Sequence, residues 1–337
     1  MNADNIESVE VIRGIPSVEY GDLYSGAIIV QTKARKEPLQ LKARFNPTVT
    51  QFWGGKGFDL GTDAGSLYVD LDYTKSNDKE TNKYQNYTRT TGTVQYTNRF
   101  GVKKNWRSNS TLAFTYARDL YDMDPDMAYD QTKNDAKERY IRFTTNGVVD
   151  FDKKFSRTFK YNASINYGMQ IGYQQTYYDA DVTAESYAIT NGTNEVSYLP
   201  SSYLSRMWVE GNPLNTAVKV SNQFYFLTGK VNHSILTGLD WLMDANYGDG
   251  KTFTRPPRNT NGSAYRTRAF SDIPAMHQLG GYVQDHLSTD LGTNKLNIIA
   301  GLRYDLVQPF DSSYDLQSIS SRINAAFRME NGLTIFN

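Results

Sequence analysis

Between Phe159 and Gln174 the chain alternates without a break: Phe159, Tyr161, Ala163, Ile165, Tyr167, Met169, Ile171 and Tyr173 occupy one parity, and Lys160, Asn162, Ser164, Asn166, Gly168, Gln170, Gly172 and Gln174 the other. Successive side chains of an extended strand point to opposite faces, so a period of two predicts a β-strand with one apolar and one polar face. This run is longer than the usual strand of a globular protein, with aromatic residues at both ends. Leu67, Val69, Leu71 and Tyr73 alternate with Tyr68, Asp70, Asp72 and Thr74, and Leu296, Ile298, Ala300, Leu302, Tyr304 and Leu306 alternate with a face that includes Asn297, Arg303 and Asp305. Looser alternation runs through 106–118, 140–152, 217–230, 233–246 and 318–329. A soluble β-solenoid or a long-stranded sandwich would share this periodicity.

The connections discriminate further. Short links are expected at 62–65, 101–105, 153–156, 231–232, 290–293 and 330–332, and long ones at 76–88, 119–139, 177–216 and 247–276, with a shorter one at 308–317. Short and long links strictly alternate along the chain. A first strand at 39–50, a tight link near Gln51 to Gly54 and a second strand at 55–61 place every long connection at one end of the sheet. That asymmetry is expected of a transmembrane antiparallel β-barrel, with short turns on one side and long loops on the other. The count is about twelve strands plus the start of a thirteenth at Leu333 to Phe336.

Composition agrees with a barrel and excludes other membrane classes. The chain has 337 residues and a mean hydropathy of −0.59, with apolar runs far too short for a transmembrane helix. Alternating strands average to a polar hydropathy, so the same values suit membrane-spanning strands. Tyr 25, Phe 16 and Trp 4 make an aromatic chain, and Tyr suits a bilayer interface. With 36 basic and 36 acidic residues and no basic stripe, nothing calls for nucleic acid.

The segment Asn5 to Lys33 differs in character from the remainder of the chain. It carries Glu10, Val11, Arg13 and Gly14, then Ser17, Tyr20 and Gly21, then Gly26, Ala27, Ile28 and Ile29 ending in Thr32 and Lys33. Alone it reads as two short strands joined through turn residues, as in a hairpin of any soluble sandwich. In this order it resembles the end of the plug domain of TonB-dependent outer-membrane receptors, in wording similar to Bacteroidetes-type members. His233 to Trp241, Gly281-Tyr-Val-Gln-Asp285 and Ile299-Ala-Gly-Leu-Arg-Tyr-Asp305 resemble, in the same order, segments common in barrels of that family.

The resemblance implies an all-β fold: residues 1–35 as the C-terminal end of a plug domain and 36–337 as the N-terminal portion of a truncated barrel, since plugged transporters have 22 strands. The absence of a signal peptide before Met1 and the end at Asn337 in mid-strand fit a fragment lacking the TonB-contacting segment. Two unpaired strand edges in such a fragment predict an open curved sheet that aggregates when expressed alone. The implied function is TonB-dependent import, across the bacterial outer membrane, of a scarce or bulky ligand: a siderophore, cobalamin, a glycan or a peptide. Implied partners are TonB, outer-membrane lipid and, for a glycan, a surface lipoprotein. Glu7, Glu10 and Arg13 match plug positions that latch onto charged residues of the barrel wall; Gly14, Gly21 and Gly26 read as turn and close-packing glycines. Tyr198, Tyr203 and Trp208, in the longest loop, are the ligand-contact candidates, with an interface-belt or loop-core role as the blander reading.

Catalytic, metal and cofactor signatures are absent from the sequence. There are no cysteines, and His233, His277 and His286 stand in no metal or triad spacing. Asp122 to Asp130 alternates oxygen ligands as a calcium loop would, but Met127 stands where an EF-hand needs Gly and Lys133 where it needs Glu. Thr252-Phe-Thr-Arg-Pro-Pro-Arg258 reads as a stiff polyproline-like loop element. The rival classes are a surface-exposed structural or adhesive β-protein and an outer-membrane enzyme barrel; the latter lacks a recognisable acid, base or nucleophile cluster.

Overall fold

The computed structural model describes residues 6–13, 17–19, 21, 26–32, 36–61, 63–127, 131–153, 156–179, 185–187, 197–258, 267–309, 316–329 and 334–336. The N-terminal hairpin consists of β1 (Ile6–Arg13) and β2 (Gly26–Thr32), a two-stranded antiparallel sheet of its own. Then come β3 (Gln40–Phe45), β4 (Val49–Asp59), β5 (Ser66–Asn77), β6 (Gln85–Phe100), β7 (Trp106–Tyr121), β8 (Lys133–Lys153) and β9 (Ser156–Asp179). The remaining strands are β10 (Ser186–Tyr187), β11 (Ser197–Tyr198), β12 (Ser202–Gly211), β13 (Pro213–Thr228), β14 (Val231–Asn246), β15 (Gly250–Arg255), β16 (Met276–Leu291), β17 (Asn294–Gln308), β18 (Gln317–Arg328) and β19 (Thr334–Phe336).

From β3 to β19 one antiparallel sheet runs in chain order through β4, β5, β6, β7, β8, β9, β13, β14, β16, β17 and β18. Most strands pair with their sequence neighbours, as hairpin connections dictate, while β9 pairs with β13 and β14 with β16 across the connections that hold β10 to β12 and β15. The Phe159–Gln174 alternation lies within β9, a strand of 24 residues. Residues 101–105, 229–230 and 292–293 make short turns at one end, while 122–132, 247–275 and 309–316 make long connections at the other. Parity therefore places the long connections as the sequence requires.

Burial is inverted relative to a soluble sheet. Leu71 is 60% exposed and Ile319 72%, whereas Asp72, one residue from Leu71, is fully buried. Asp70, Gln95, Asn98, Ser221, Arg303 and Asp305 are likewise buried, and Leu41, Phe114, Ile141, Leu239, Leu302 and Ile323 exposed. Polar side chains crowd one face of the sheet and hydrogen-bond to each other there, as Gln51 does to Asp72 (2.7 Å) and Gln95 to Asn109 (3.0 Å). Among the described residues no second layer covers the apolar side chains of the other face. A continuous exposed apolar face of this extent is compatible with hydrocarbon and not with water.

Two expectations are corrected. The first hairpin turns at Asn46 to Thr48, not at Gln51 to Gly54: Asn46 and Val49 exchange backbone hydrogen bonds of 2.8 and 3.3 Å. Pro47 has no N–H to give to a ladder, so the sheet breaks there. Gln51 to Gly54 lie inside β4, where Gly54 gives room to Leu41. The stretches 177–216 and 247–276 are not simply loops, because they contain β12 and β15. β9 is long enough to pair with β13 through Thr158 to Tyr167 and then with β12 through Gln170 to Asp179, and β12 pairs in turn with β15. Pairing extends the sheet beyond the apolar band at its long-loop end.

Candidate functional site

The densest polar cluster on the inner face lies where β14, β16 and β17 run side by side. Alternation sends Asp240 of β14, Gly280, Tyr282 and Gln284 of β16, and Arg303 and Asp305 of β17 to that face, and the ladder sets Tyr282 opposite both Gly238 and Arg303. Arg303, 3% exposed, donates from Nη1 to Asp240 Oδ2 (2.8 Å) and from Nη2 to Asp240 Oδ1 (2.9 Å), a bidentate pair. Its Nε lies 2.9 Å from each Asp305 carboxylate oxygen, and Nη2 2.6 Å from Oδ1. A guanidinium presents a planar fork of donors that a lysine ammonium cannot imitate. Gly280 lies between the two aspartate-bearing strands because any Cβ there would collide with Arg303 and Asp240. Tyr282 closes the cluster with its ring, 5.7 Å from the Arg303 guanidinium and 5.9 Å from Lys219 Nζ.

Residues Ser17–Glu19 and Gly21, from the connection between β1 and β2, sit on this cluster. Val18 is fully buried, and a Cβ at Gly301 would strike its methyl groups, so glycine at that wall position makes the seat. Gln284 Oε1 accepts from Ser17 Oγ (2.9 Å) and from the Val18 N–H (3.2 Å). Arg322 of β18 donates to the Ser17 carbonyl (2.7 Å), and Arg303 Nη1 lies 3.4 Å from the Val18 carbonyl. Lys219 of β13 donates to the Glu19 carbonyl (2.7 Å) and pairs with its carboxylate (3.3 Å). Gly21 packs against Arg303, where a Cβ would stand 3.0 Å from Nη2. Arg303, Arg322 and Lys219 are balanced in charge by Asp240, Asp305 and Glu19. Buried charges persist only when paired and hydrogen-bonded, so this cluster is a specific receptor for the segment it holds.

The expected site residues distribute unevenly. Glu7, Glu10 and Arg13 belong to β1, with Glu10 opposite Ile29 and Arg13 opposite Gly26; their side chains, and Gly14, lie outside the described residues. The contacts with the cluster come instead from Ser17–Glu19 and Gly21. Tyr203 is 3% exposed, stacked on Tyr178 at 5.3 Å, with its hydroxyl donating to the Pro256 carbonyl (2.9 Å). Burial, and then the nearby Tyr178, push its phenol up to about 12, with Arg258 opposing. Its ring packs inside the extension formed by β12 and β15 and is covered rather than presented to a ligand. Trp208 packs on Tyr173 of β9 at 5.5 Å on the outer face, whereas Tyr198 is exposed on β11.

Sequence reasoning did not single out Arg303, Asp305, Asp240, Tyr282, Gln284, Lys219 or Arg322 as site residues. A signal was present: the three C-terminal motifs each carry one or two polar residues at inward parity, and those are the residues that converge. Among the described residues no cluster of three metal-ligating side chains occurs. The Asp122 carboxylate, at the start of the 122–132 connection, is engaged by Lys133 Nζ at 3.0 Å, which holds it below the usual carboxylate range.

Comparison with known proteins gives one family and several folds of the same kind. The model of the TonB dependent receptor-like β-barrel matches residues 113–336, more than half of the chain. No curated protein matches. Among solved structures, the siderophore receptor PirA from Acinetobacter baumannii superposes with a TM-score of 0.57 at 12% identity, covering 97% of this chain and 46% of that one. The ferric-catecholate import receptor Fiu from E. coli K12, in its open form, gives 0.56 at 13% identity, covering 96% and 57%. BauA, the ferric preacinetobactin receptor of A. baumannii, gives 0.50 at 13%, covering 95% and 50%. The chain thus spans about half the length of these structures, and the likeness establishes the fold.

Proposed function

Because the chain belongs to the TonB-dependent receptor-like β-barrel family, we propose that it is part of an outer-membrane receptor that captures a scarce or bulky ligand and imports it with energy delivered by TonB. Residues 1–35 form the end of its plug, and 36–337 a portion of the barrel wall. The observation that carries this reading is the docking of Ser17–Glu19 and Gly21 on the Arg303 cluster: a segment outside the barrel sheet is held to its inner face by polar contacts. Such contacts hold a plug and can be exchanged for water, whereas an apolar seat could not be. The plug is therefore fixed at rest and able to move when pulled.

A ferric siderophore is the first ligand to test, since among the structural neighbours PirA is a siderophore receptor, Fiu a ferric-catecholate import receptor and BauA the ferric preacinetobactin receptor. Ligand binding shifts the plug only by its differential affinity for the two plug arrangements. Glu7, Glu10 and Arg13 extend the latch along β1, and Tyr198 is the best placed of the three aromatic candidates to touch ligand. The test is uptake of radiolabelled ferric siderophores by cells whose intact receptor is expressed, with and without TonB. Accumulation that requires both supports the reading; uptake independent of TonB, or a receptor that does not insert into outer membranes, overturns it.

A further inference from the structure

Above the Arg303 cluster, towards the long-loop end, the inner wall changes from closed ion pairs to an open row. Asn215 lies four residues before Lys219 on β13, and Asp244 four residues after Asp240 on β14, so both share the inner face with the docking cluster. At roughly 3.3 Å per residue they stand about 13 Å nearer the long-loop end. The ladders continue the row through Asn166 of β9, opposite Asn215, to Arg142 of β8, opposite Asn166. The four side chains are joined end to end: Arg142 Nε donates to Asn166 Oδ1 (3.4 Å), Asn166 Nδ2 to Asn215 Oδ1 (3.2 Å), and Asn215 Nδ2 to Asp244 Oδ1 (2.6 Å).

The row is charged at its ends and neutral between them. Arg142 has no carboxylate partner and Asp244 no cationic partner among the described residues, and both are exposed on the inner face. In the docking cluster, by contrast, Arg303 meets two carboxylates and Lys219 meets Glu19. Each asparagine uses one N–H and one lone pair within the row, and a primary amide has two of each, so a donor and an acceptor remain on each for the lumen. Three strand spacings of about 4.8 Å separate β8 from β14 through β9 and β13, which sets the positive and negative ends about 14 Å apart.

We propose that this row binds a short linear peptide with free termini, its carboxylate on Arg142 and its ammonium on Asp244. The inference rests on the import reading and deepens it by naming the ligand as a peptidic zwitterion, whether or not it carries iron. An extended chain advances about 3.4 Å per residue, so about four or five residues span the row. A guanidinium takes a carboxylate through two parallel hydrogen bonds, and the remaining amide groups of Asn166 and Asn215 answer the peptide N–H and C=O groups in between. Other chemistries fit less of the row. A neutral sugar leaves both end charges without a counter-charge, and a polyanion that meets Arg142 is repelled at Asp244.

The test titrates the intact receptor, purified in nonionic detergent, with alanine peptides of increasing length from the dipeptide to the octapeptide, read by isothermal titration calorimetry. Affinity is expected to peak at about four or five residues. Acetylating the amino terminus or amidating the carboxyl terminus of the best peptide is expected to weaken binding at least about tenfold, the least effect of losing a hydrogen bond to a charged group. Arg142→Gln removes the penalty for amidation and keeps that for acetylation, and Asp244→Asn does the converse. The length series and the capped peptides need only the parent receptor, so they decide the outcome if a variant fails to fold. No binding, affinity that rises with length without a maximum, equal binding of free and capped peptides, or a variant that alters both penalties alike overturns the proposal. A receptor that takes up another ligand with TonB but shows none of these preferences refutes only this inference; peptide binding without TonB-dependent uptake of any ligand counts against the import reading alone.

Discussion

Arg303 of β17 and Asp240 of β14 meet through two parallel hydrogen bonds of 2.8 and 2.9 Å, although β16 runs between their strands. They reach each other over Gly280, an inward position on β16 whose lack of a side chain leaves the path open. Removing the arginine strands Asp240 and Asp305 as buried, unpaired carboxylates, a loss of about 3–5 kcal/mol for a broken buried ion pair. Arg303→Ala is therefore expected to weaken the folded receptor markedly, and Arg303→Lys to recover little, because lysine cannot satisfy both carboxylates. The midpoint temperature for loss of heat-modifiable migration on gels checks both; an Arg303→Lys variant as stable as the parent would contradict the geometry.

Ser17 and Gln284 are joined side chain to side chain at 2.9 Å, and the chain contains no cysteine. The pair Ser17→Cys with Gln284→Cys should thus form a disulfide without competing thiols from these 337 residues. If plug movement is required, oxidation blocks ligand uptake and a reductant restores it, with surface binding of ligand unchanged. Normal uptake by the fully oxidised double variant would show that Ser17 stays on the barrel wall during import.

Leu302 projects from the middle of β17 and Leu291 from the turn end of β16, both outward. For a lipid-facing side chain the penalty of a cation depends on depth, about 2–4 kcal/mol at the midplane and near 0–1 at the interface. Leu302→Lys is expected to depress outer-membrane assembly, and Leu291→Lys to leave it nearly unchanged, as measured by the folded fraction recovered from membranes. Equal tolerance of the two would argue against a bilayer around this face.

The buried Tyr282 hydroxyl faces Ser221 without a well-aligned hydrogen bond, while its ring faces Arg303 and Lys219. Tyr282→Phe is expected to change stability by less than about 1 kcal/mol, since only a weak polar contact of the hydroxyl is removed. Tyr282→Ala loses the ring and opens a cavity costing about 3–5 kcal/mol, by analogy with other buried aromatic truncations. Denaturant titration of the receptor in detergent separates the two outcomes.

The raised phenol of Tyr203 links the extension of β12 and β15 to pH. Burial favours its neutral form, so the folded state holds that proton more tightly than the unfolded chain. Its contribution is fully present below the unfolded value near 10 and is lost as pH rises through about 12. A difference absorbance titration of parent against Tyr203→Phe should show one tyrosine ionising at the higher pH; ionisation at the unfolded value would mean that the ring is not buried in solution.

The alternation in β9, β5 and β17 was enough to determine strands, faces and the end at which long connections gather, because a strand's two faces are written directly into residue parity. The same local pattern was silent about which face would be covered, and Asp72 beside Leu71 reads equally well in a soluble sandwich with its polar side out. Crowding of polar side chains on one face decided that, burying Asp72 and leaving Leu71 exposed. Hidden too was the turn at Pro47, where a missing N–H breaks the ladder upstream of the link expected at Gln51 to Gly54. The docking cluster lay beyond any local reading: Val18 and Arg303 are 285 residues apart, and their contact exists only because neighbouring strands carry Asp240, Gly280 and Gln284 to one face. The sequence determined each motif's parity; the three-dimensional pairing of β14, β16 and β17 made those parities into one site, since charges separated along the chain acquire meaning only when folding removes the water between them.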